Sequence, residues 1–222
     1  TQNMKNPWLD IPFGDYEGHM NSPAVAQLQV LNELFAAVLA SHRPKSVAIL
    51  GCAGGNGLEH IDASVTERVV GIDINPAYLQ ILRKRFSHSQ MNLELVEADF
   101  ASPTFSVPPV ELVFAALVFE YVPTDQAVRT VSRSLVPDGI LVAALQLPSA
   151  ASPPVTKTEF SSLETLAPIL ELVSPDTFTR ACAANGLELV KEQTIPLKQG
   201  KKLFAGHYRK GRAMPMLTIS VE

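Results

Sequence analysis

The stretch VAILGCAGGNGLEHI (47–61) runs a β-branched segment into a loop carrying Gly51, Gly54, Gly55 and Gly57, with a helical pattern after it. Glycines there let the chain turn tightly and let a ligand lie against bare backbone. A phosphate-cradling loop of the form GxxxxGK[ST] needs a lysine, and none follows any of these glycines. A dinucleotide fingerprint needs GxGxxG, which no frame over residues 51–60 supplies. What remains is small residues two apart, at Gly51, Ala53, Gly55 and Gly57, a spacing that suits S-adenosylmethionine.

Two acids extend this reading. Asp73 closes VVGID, 16 residues beyond Gly57, where a carboxylate can accept both hydroxyls of a ribose. Alone it fits a nicotinamide cofactor equally well, or a cap for the helix that Asn75-Pro76 opens. Asp99 closes LVEAD, where it can accept from an exocyclic amine while Phe100 covers a ring face; alone it is a turn aspartate before a Pro-rich loop. Together the loop and the two acids make a nucleoside pocket at one edge of a sheet. Cys52 has no identifiable partner base and reads as a packing thiol. His42, His60, His88 and His207 are scattered, and neither histidines nor carboxylates have metal-ligand spacing. His19 lies in DYEGHMN, where Tyr16, Glu17 and Met20 suit either a docked arm or a lid.

These residues need strands that end together. Val25, Leu28, Leu31, Phe35 and Val38 recur at three- and four-residue steps, predicting a helix with Ser22-Pro23 as its cap and first turn that stops before Pro44. Residues 46–50, 67–74, 93–100, 111–119 and 140–147 read as strands. Helices over GLEHIDAS, residues 76–86 and residues 125–135 alternate with them, the last closed by Pro137-Asp138-Gly139. An insertion over about 149–174 holds one helix, and another follows over 175–185 with Gly186 beyond its end. LELVKEQTIPL and KKLFAGHYRKG, joined by Lys198-Gln199-Gly200, read as a hairpin, and the tail with Met214, Met216, Leu217 and Ile219 is apolar enough to pack. The predicted fold is α/β: a doubly wound, seven-stranded, mostly parallel sheet with a C-terminal antiparallel hairpin. A single domain (23–222) follows an N-terminal arm or lid (1–22).

Composition bounds the partners. Of 222 residues, 46% are hydrophobic and 18% charged, as in a globular protein. Eighteen basic against 22 acidic residues give a net charge of −4, which argues against a duplex nucleic-acid binder and towards a small-molecule partner. The longest apolar run, Leu112 to Phe119, has eight residues, whereas a membrane span takes about 20. TQNMKNPWLD has no apolar segment of the signal-peptide kind. Cys52 and Cys182 stand 130 residues apart, so no disulfide scaffold or structural zinc is expected, and the expected location is cytoplasmic.

The motifs ILGCAGGNG, VVGIDI, EADF and VFEYVPTDQAVRTVSRSLVPDGILVAAL resemble those of the class I S-adenosylmethionine-dependent methyltransferases, the small bacterial type 11/12-like group in particular, over residues 23–148. The resemblance implies a Rossmann-like sheet and S-adenosylmethionine as cofactor. Gly51, Ala53, Gly55 and Gly57, with Cys52 and Asn56 between them, would surround its amino-acid end. Asp73 and Ile74 would sit at the ribose, and Asp99 and Phe100 at adenine. It implies direct displacement of the methyl group onto a small acceptor, with Glu120 and Tyr121 near the transferred methyl. His19, Glu120 and Tyr121 are the candidate bases, and Tyr16 and Gln146 the candidate acceptor contacts. Three positions depart from the pattern: Ile49 replaces an acid, Ala53 a glycine, and Asp138 the first glycine of a PGG turn. A cofactor-binding module without activity is an alternative. A nicotinamide oxidoreductase is disfavoured by the glycine spacing, by Asp99 and by the lack of Tyr-x-x-x-Lys.

Overall fold

Successive side chains of a strand point to opposite faces, so a strand covered on both sides must be apolar at every position. VAIL (47–50) meets that demand. Val47 and Ile49 join one apolar cluster while Ala48 and Leu50 join the other, and Leu112/Val113/Phe114/Ala115 alternate the same way. In the computed structural model, which describes residues 6–150 and 153–212, five strands pair in parallel. They are Ser46–Leu50 (β1), Arg68–Asp73 (β2), Leu93–Glu97 (β3), Val110–Ala116 (β4) and Leu135–Gln146 (β5). Leu187–Pro196 (β6) and Lys202–Lys210 (β7) add an antiparallel hairpin, giving the order β3-β2-β1-β4-β5-β7-β6.

Helices Phe13–Asn21 (α1), Gln27–His42 (α2) and Pro76–Arg85 (α3) contribute to one core, and Thr124–Arg133 (α4) and Pro175–Ala184 (α5) to the other. Chain order along the sheet reverses between β1 and β4. In such sheets ligands bind in the crevice outside the carboxyl ends of the strands at that point.

The seven-stranded sheet and its hairpin are as the sequence predicts; several details differ. Residues 13–21 form a helix although no periodicity announces one, because Gly14 and Gly18 interrupt the spacing of Phe13, Tyr16 and Met20. The next helix starts at Gln27, not at Pro23: Ser22 ends α1, and Ala26 adopts φ 51°, which breaks the run. GLEHIDAS shrinks to a 3-10 turn at Leu58–His60, and among its described residues the insertion holds only the 3-10 segment Ser161–Leu166. Pro137-Asp138-Gly139 lies inside β5 rather than before it. The strand begins at Leu135, and Asp138 at φ 62° accompanies the register shift against β4. Met214, Met216, Leu217 and Ile219 fall outside the described residues.

Candidate active site

The glycine loop begins where β1 leaves the sheet. Gly51 takes φ +66°, and a Cβ there would lie 2.5 Å from Val118 Cγ1, so backbone conformation and crowding both demand glycine. Ala53 holds φ 44° despite its side chain, a conformation costing about 1–2 kcal/mol. Asp73 at the end of β2 fastens it: Oδ2 accepts the Ala53 N–H at 2.8 Å and Oδ1 the Asn75 N–H at 2.9 Å. The helix cap is Asn75 itself, whose side chain accepts from Ala77 N–H at 2.9 Å. A carboxylate offers about four lone-pair sites, so Asp73 still has acceptor capacity for a ligand. Burial raises its carboxyl above the ordinary value, while these backbone donors pull it back down. Beyond β3, exposed Asp99 accepts from Ala101 N–H at 2.9 Å and lines the same cleft as buried Phe100.

Not every small residue of the loop faces the cleft. A Cβ at Gly55 would meet Phe86, and one at Gly57 would meet Phe35, each at 2.8 Å; these glycines seat the loop against α3 and α2. Asn56 ties the loop to α2, donating to Leu28 O at 2.8 Å and accepting from Asn32 Nδ2 at 3.0 Å. Cys52 packs its sulfur against Gly71, and burial pushes its thiol well up, which leaves it unreactive. Cys52 and Asn56 border a smaller hollow under the loop, with Phe13 and Glu17.

The other half of the cleft is built by the arm and the insertion. Trp8 meets Tyr16 and Tyr121 edge-on, with ring centroids 6.0 and 5.1 Å away. Asn75 Nδ2 donates to Trp8 O and Tyr78 Oη to Ile11 O, both at 2.9 Å. Arg85 donates to both Glu17 oxygens at 2.6 and 2.7 Å and lies over the Phe13 ring, which itself covers Gly54. From the insertion, Phe160 packs on Gly18, Ser162 Oγ donates to Asp15 at 2.6 Å, and Thr158 Oγ1 pairs with His19 Nδ1 at 2.9 Å.

Glu120 follows β4 on a 3-10 turn and is 2% exposed. Its Oε1 accepts the Gln146 N–H at 2.7 Å, whereas Oε2, sealed from solvent, has no hydrogen-bond partner. Burial drives its carboxyl up to about 7. The Gln146 carboxamide is committed within the protein: Nε2 donates to Pro154 O at 2.9 Å and Oε1 accepts from Gln27 Nε2 at 3.4 Å. Lys201 also donates to Pro154 O, at 2.9 Å, and to Thr156 Oγ1 at 2.7 Å. Burial first, and Lys201 second, depress His19 below its ordinary value; burial raises the phenols of Tyr16 and Tyr121.

One cleft of about 1210 Å³, its open mouth included, thus brings together Gly51, Ala53, Asp73, Ile74, Asp99 and Phe100 with Tyr16, His19, Glu120, Tyr121 and Gln146. Gly55 and Gly57 do not line it. The sequence reading missed Trp8 and Gln27, and it missed the insertion wall of Val155, Leu163, Leu166 and Leu170. The leucine spacing of three and four was the available signal for that wall. Among the described residues no group of three or more His, Cys, Asp or Glu could hold a metal ion, and no helix is long and apolar enough to cross a membrane.

Residues 47–139 match a family model described as a methyltransferase domain. No curated protein matches the chain in sequence. Among solved structures, N-methyltransferase NodS from Bradyrhizobium japonicum WM9, in complex with S-adenosylhomocysteine, superposes with TM-score 0.65 at 15% identity, over 90% of this chain and 98% of that one. Geranyl diphosphate C-methyltransferase from Streptomyces coelicolor A3(2) gives TM-score 0.62 at 14% identity, over 84% and 82%. A putative sarcosine dimethylglycine methyltransferase from Galdieria sulphuraria gives TM-score 0.63 at 13% identity, over 82% and 86%. The domain match falls on the glycine loop and on Asp73, Asp99 and Glu120, so residues 47–139 are similar to a methyltransferase domain, and the fold of the chain is that of the solved methyltransferases.

Proposed function

We propose that the cleft holds S-adenosylmethionine along β1, β2 and β3 and passes its methyl group directly to a small-molecule acceptor held between the arm and the insertion. The observation that carries this reading is Asp73. Its Oδ2 fixes the Gly51–Ala53 turn through Ala53 N–H, its Oδ1 accepts the Asn75 N–H, and the remaining lone pairs are kept for ribose hydroxyls. Gly51 and Ala53 present backbone to the methionine end. Ile74, Ala98 and Phe100 offer apolar surface to adenine, and Asp99 an acceptor for its amine. When bound, the cofactor supplies an activated methyl on a sulfonium, so the chain's own task is alignment, exclusion of water and proton removal.

Of the three candidate bases, Tyr121 keeps its proton, because burial raises its phenol. His19 is tied to Thr158. Glu120 has a free oxygen and a carboxyl near 7, the range in which a general base works best at neutral pH. Gln146, its carboxamide engaged, positions Glu120 through its backbone N–H rather than touching the acceptor. Tyr16 remains an acceptor contact. A cytoplasmic location suits the free, buried Cys52 and Cys182.

Ligand identity is tested by melting. S-adenosylhomocysteine at a hundred times its dissociation constant should stabilise the fold by about 2.7 kcal/mol, and NADH at equal concentration should leave it unchanged. Stabilisation by NADH alone would overturn the reading.

The arm also acts as a cover in this proposal. Beside its aromatic contacts, the arm is held by three polar pairs (Glu17–Arg85, Asp15–Ser162, His19–Thr158) that can release and re-form as ligands pass. Amide exchange over residues 10–22 should slow on adding S-adenosylhomocysteine. Equal protection with and without it would make the arm a fixed anchor.

A further inference from the structure

The charges of the cleft are one-sided. Its described lining includes the carboxylates Asp73, Asp99 and Glu120 and no arginine or lysine. Lys201, whose charge adds to burial in depressing His19, spends its ammonium on Pro154 O and Thr156 Oγ1. An acceptor bearing phosphate or carboxylate would enter against three acids with no partner of opposite charge. Two of those acids face the nucleoside in the function proposed above, on which this inference rests. Glu120 does not. It lies under the arm and the insertion, one oxygen fixed by Gln146 N–H and the other without a partner.

Leaving a buried carboxylate half-satisfied is expensive unless a ligand completes it. The rings beside it narrow the choice of ligand. Trp8, Tyr16 and Tyr121 line the same cleft, with Trp8 set edge-on to both tyrosines, and aromatic faces attract cations. Val155, Leu163, Leu166 and Leu170 close the rest with apolar surface.

We infer that the acceptor is an organic amine, bound as its ammonium with Glu120 Oε2 as the counter-ion, its apolar body lying among Trp8, Tyr121 and the insertion leucines. In the transfer, a proton leaves the ammonium for Glu120 and frees the nitrogen lone pair. That pair forms the N–CH3 bond while the carbon–sulfur pair returns to sulfur, and Glu120 then passes the proton to solvent. The products are a methylated ammonium, S-adenosylhomocysteine and one proton. The groups beside Glu120 are the Tyr121 phenol and the Gln146 N–H, and burial keeps that phenol, like the Tyr16 phenol next to it, protonated throughout the neutral range.

The test is binding, separate from turnover. The full chain saturated with S-adenosylhomocysteine is titrated calorimetrically at pH 8 with phenethylamine, phenethyl alcohol and 3-phenylpropionate. The amine should bind about tenfold tighter than the alcohol or more, the range expected of one charge-assisted hydrogen bond, and the carboxylate weakest. Amine affinity should rise as pH climbs through 7, where Glu120 ionises. Glu120→Gln keeps an acceptor for Gln146 N–H and removes the charge, so it should abolish the preference for amine over alcohol. Trp8→Leu, which leaves Glu120 in place, should weaken the amine several-fold more than the alcohol. Alcohol or carboxylate binding as well as the amine, or a preference that survives Glu120→Gln, overturns the inference while leaving the methyltransferase reading intact. Failure of S-adenosylhomocysteine itself to bind would instead remove that reading.

Discussion

Glu120→Gln is expected to make the ligand-free protein more stable at pH 8, by on the order of 3 kcal/mol. Burial moves this carboxyl from the ordinary 4.5 to about 7. A group whose folded-state value is raised stabilises fully below its unfolded value, and that contribution disappears as pH climbs to the folded value. The wild type should therefore lose stability between about pH 4.5 and 7. The glutamine variant, which has no proton to lose there, should not. The gap in melting temperature opens across that interval and stays open above it. Denaturant titrations of both proteins at pH 5 and pH 8 measure it. A gap of equal size at both values would mean that Glu120 is not protonated by burial. Lower activity accompanying higher stability would mark the carboxylate as a strained functional group.

Asp73→Ala should have two effects at once. The carboxylate accepts from two backbone N–H groups, so its removal orphans both, at about 1–3 kcal/mol each where water cannot reach them. The same change removes the carboxylate proposed to accept from the ribose hydroxyls, and S-adenosylhomocysteine affinity should fall at least about tenfold, one charge-assisted hydrogen bond being worth roughly 1.5–3 kcal/mol. Calorimetric titration at a temperature where the variant remains folded separates the two. A lower melting point with unchanged affinity would reduce Asp73 to a brace for the loop.

How much of this was legible in the sequence depends on the range of the interactions. The central strands were legible because burial on both faces demands an unbroken apolar run, and VAIL (47–50) and VVGI (69–72) show it. Asp73 was legible because a lone acid closing such a run stands out. The role of Asn75 as cap was less so: Asp73 and Asn75 are both good caps by type, and only geometry separates them. Gly55 and Gly57 looked like ligand contacts because glycine spacing says where backbone comes close to something. It does not say whether that is a ligand or, as here, Phe86 and Phe35.

The acceptor half was hardest to read. Trp8, Glu120 with Tyr121, and Leu166 come from three separate segments and share a wall only through tertiary packing. α1 hid for a related reason. Its helix rests on Arg85, Tyr78 and Phe160 from elsewhere in the chain rather than on an apolar stripe of its own. The left-handed backbone at Leu117, φ 57°, where β4 opens into the cleft, had no sequence signal at all.

A crystal structure of the full chain soaked with S-adenosylhomocysteine tests the central claim most directly. The account predicts the ribose hydroxyls within hydrogen-bond distance of both Asp73 oxygens, the adenine beside Phe100 with its amine towards Asp99, and the sulfur pointing to the space between Glu120 and Tyr16. A ligand bound elsewhere, or one in this cleft with its ribose turned away from Asp73, would contradict it.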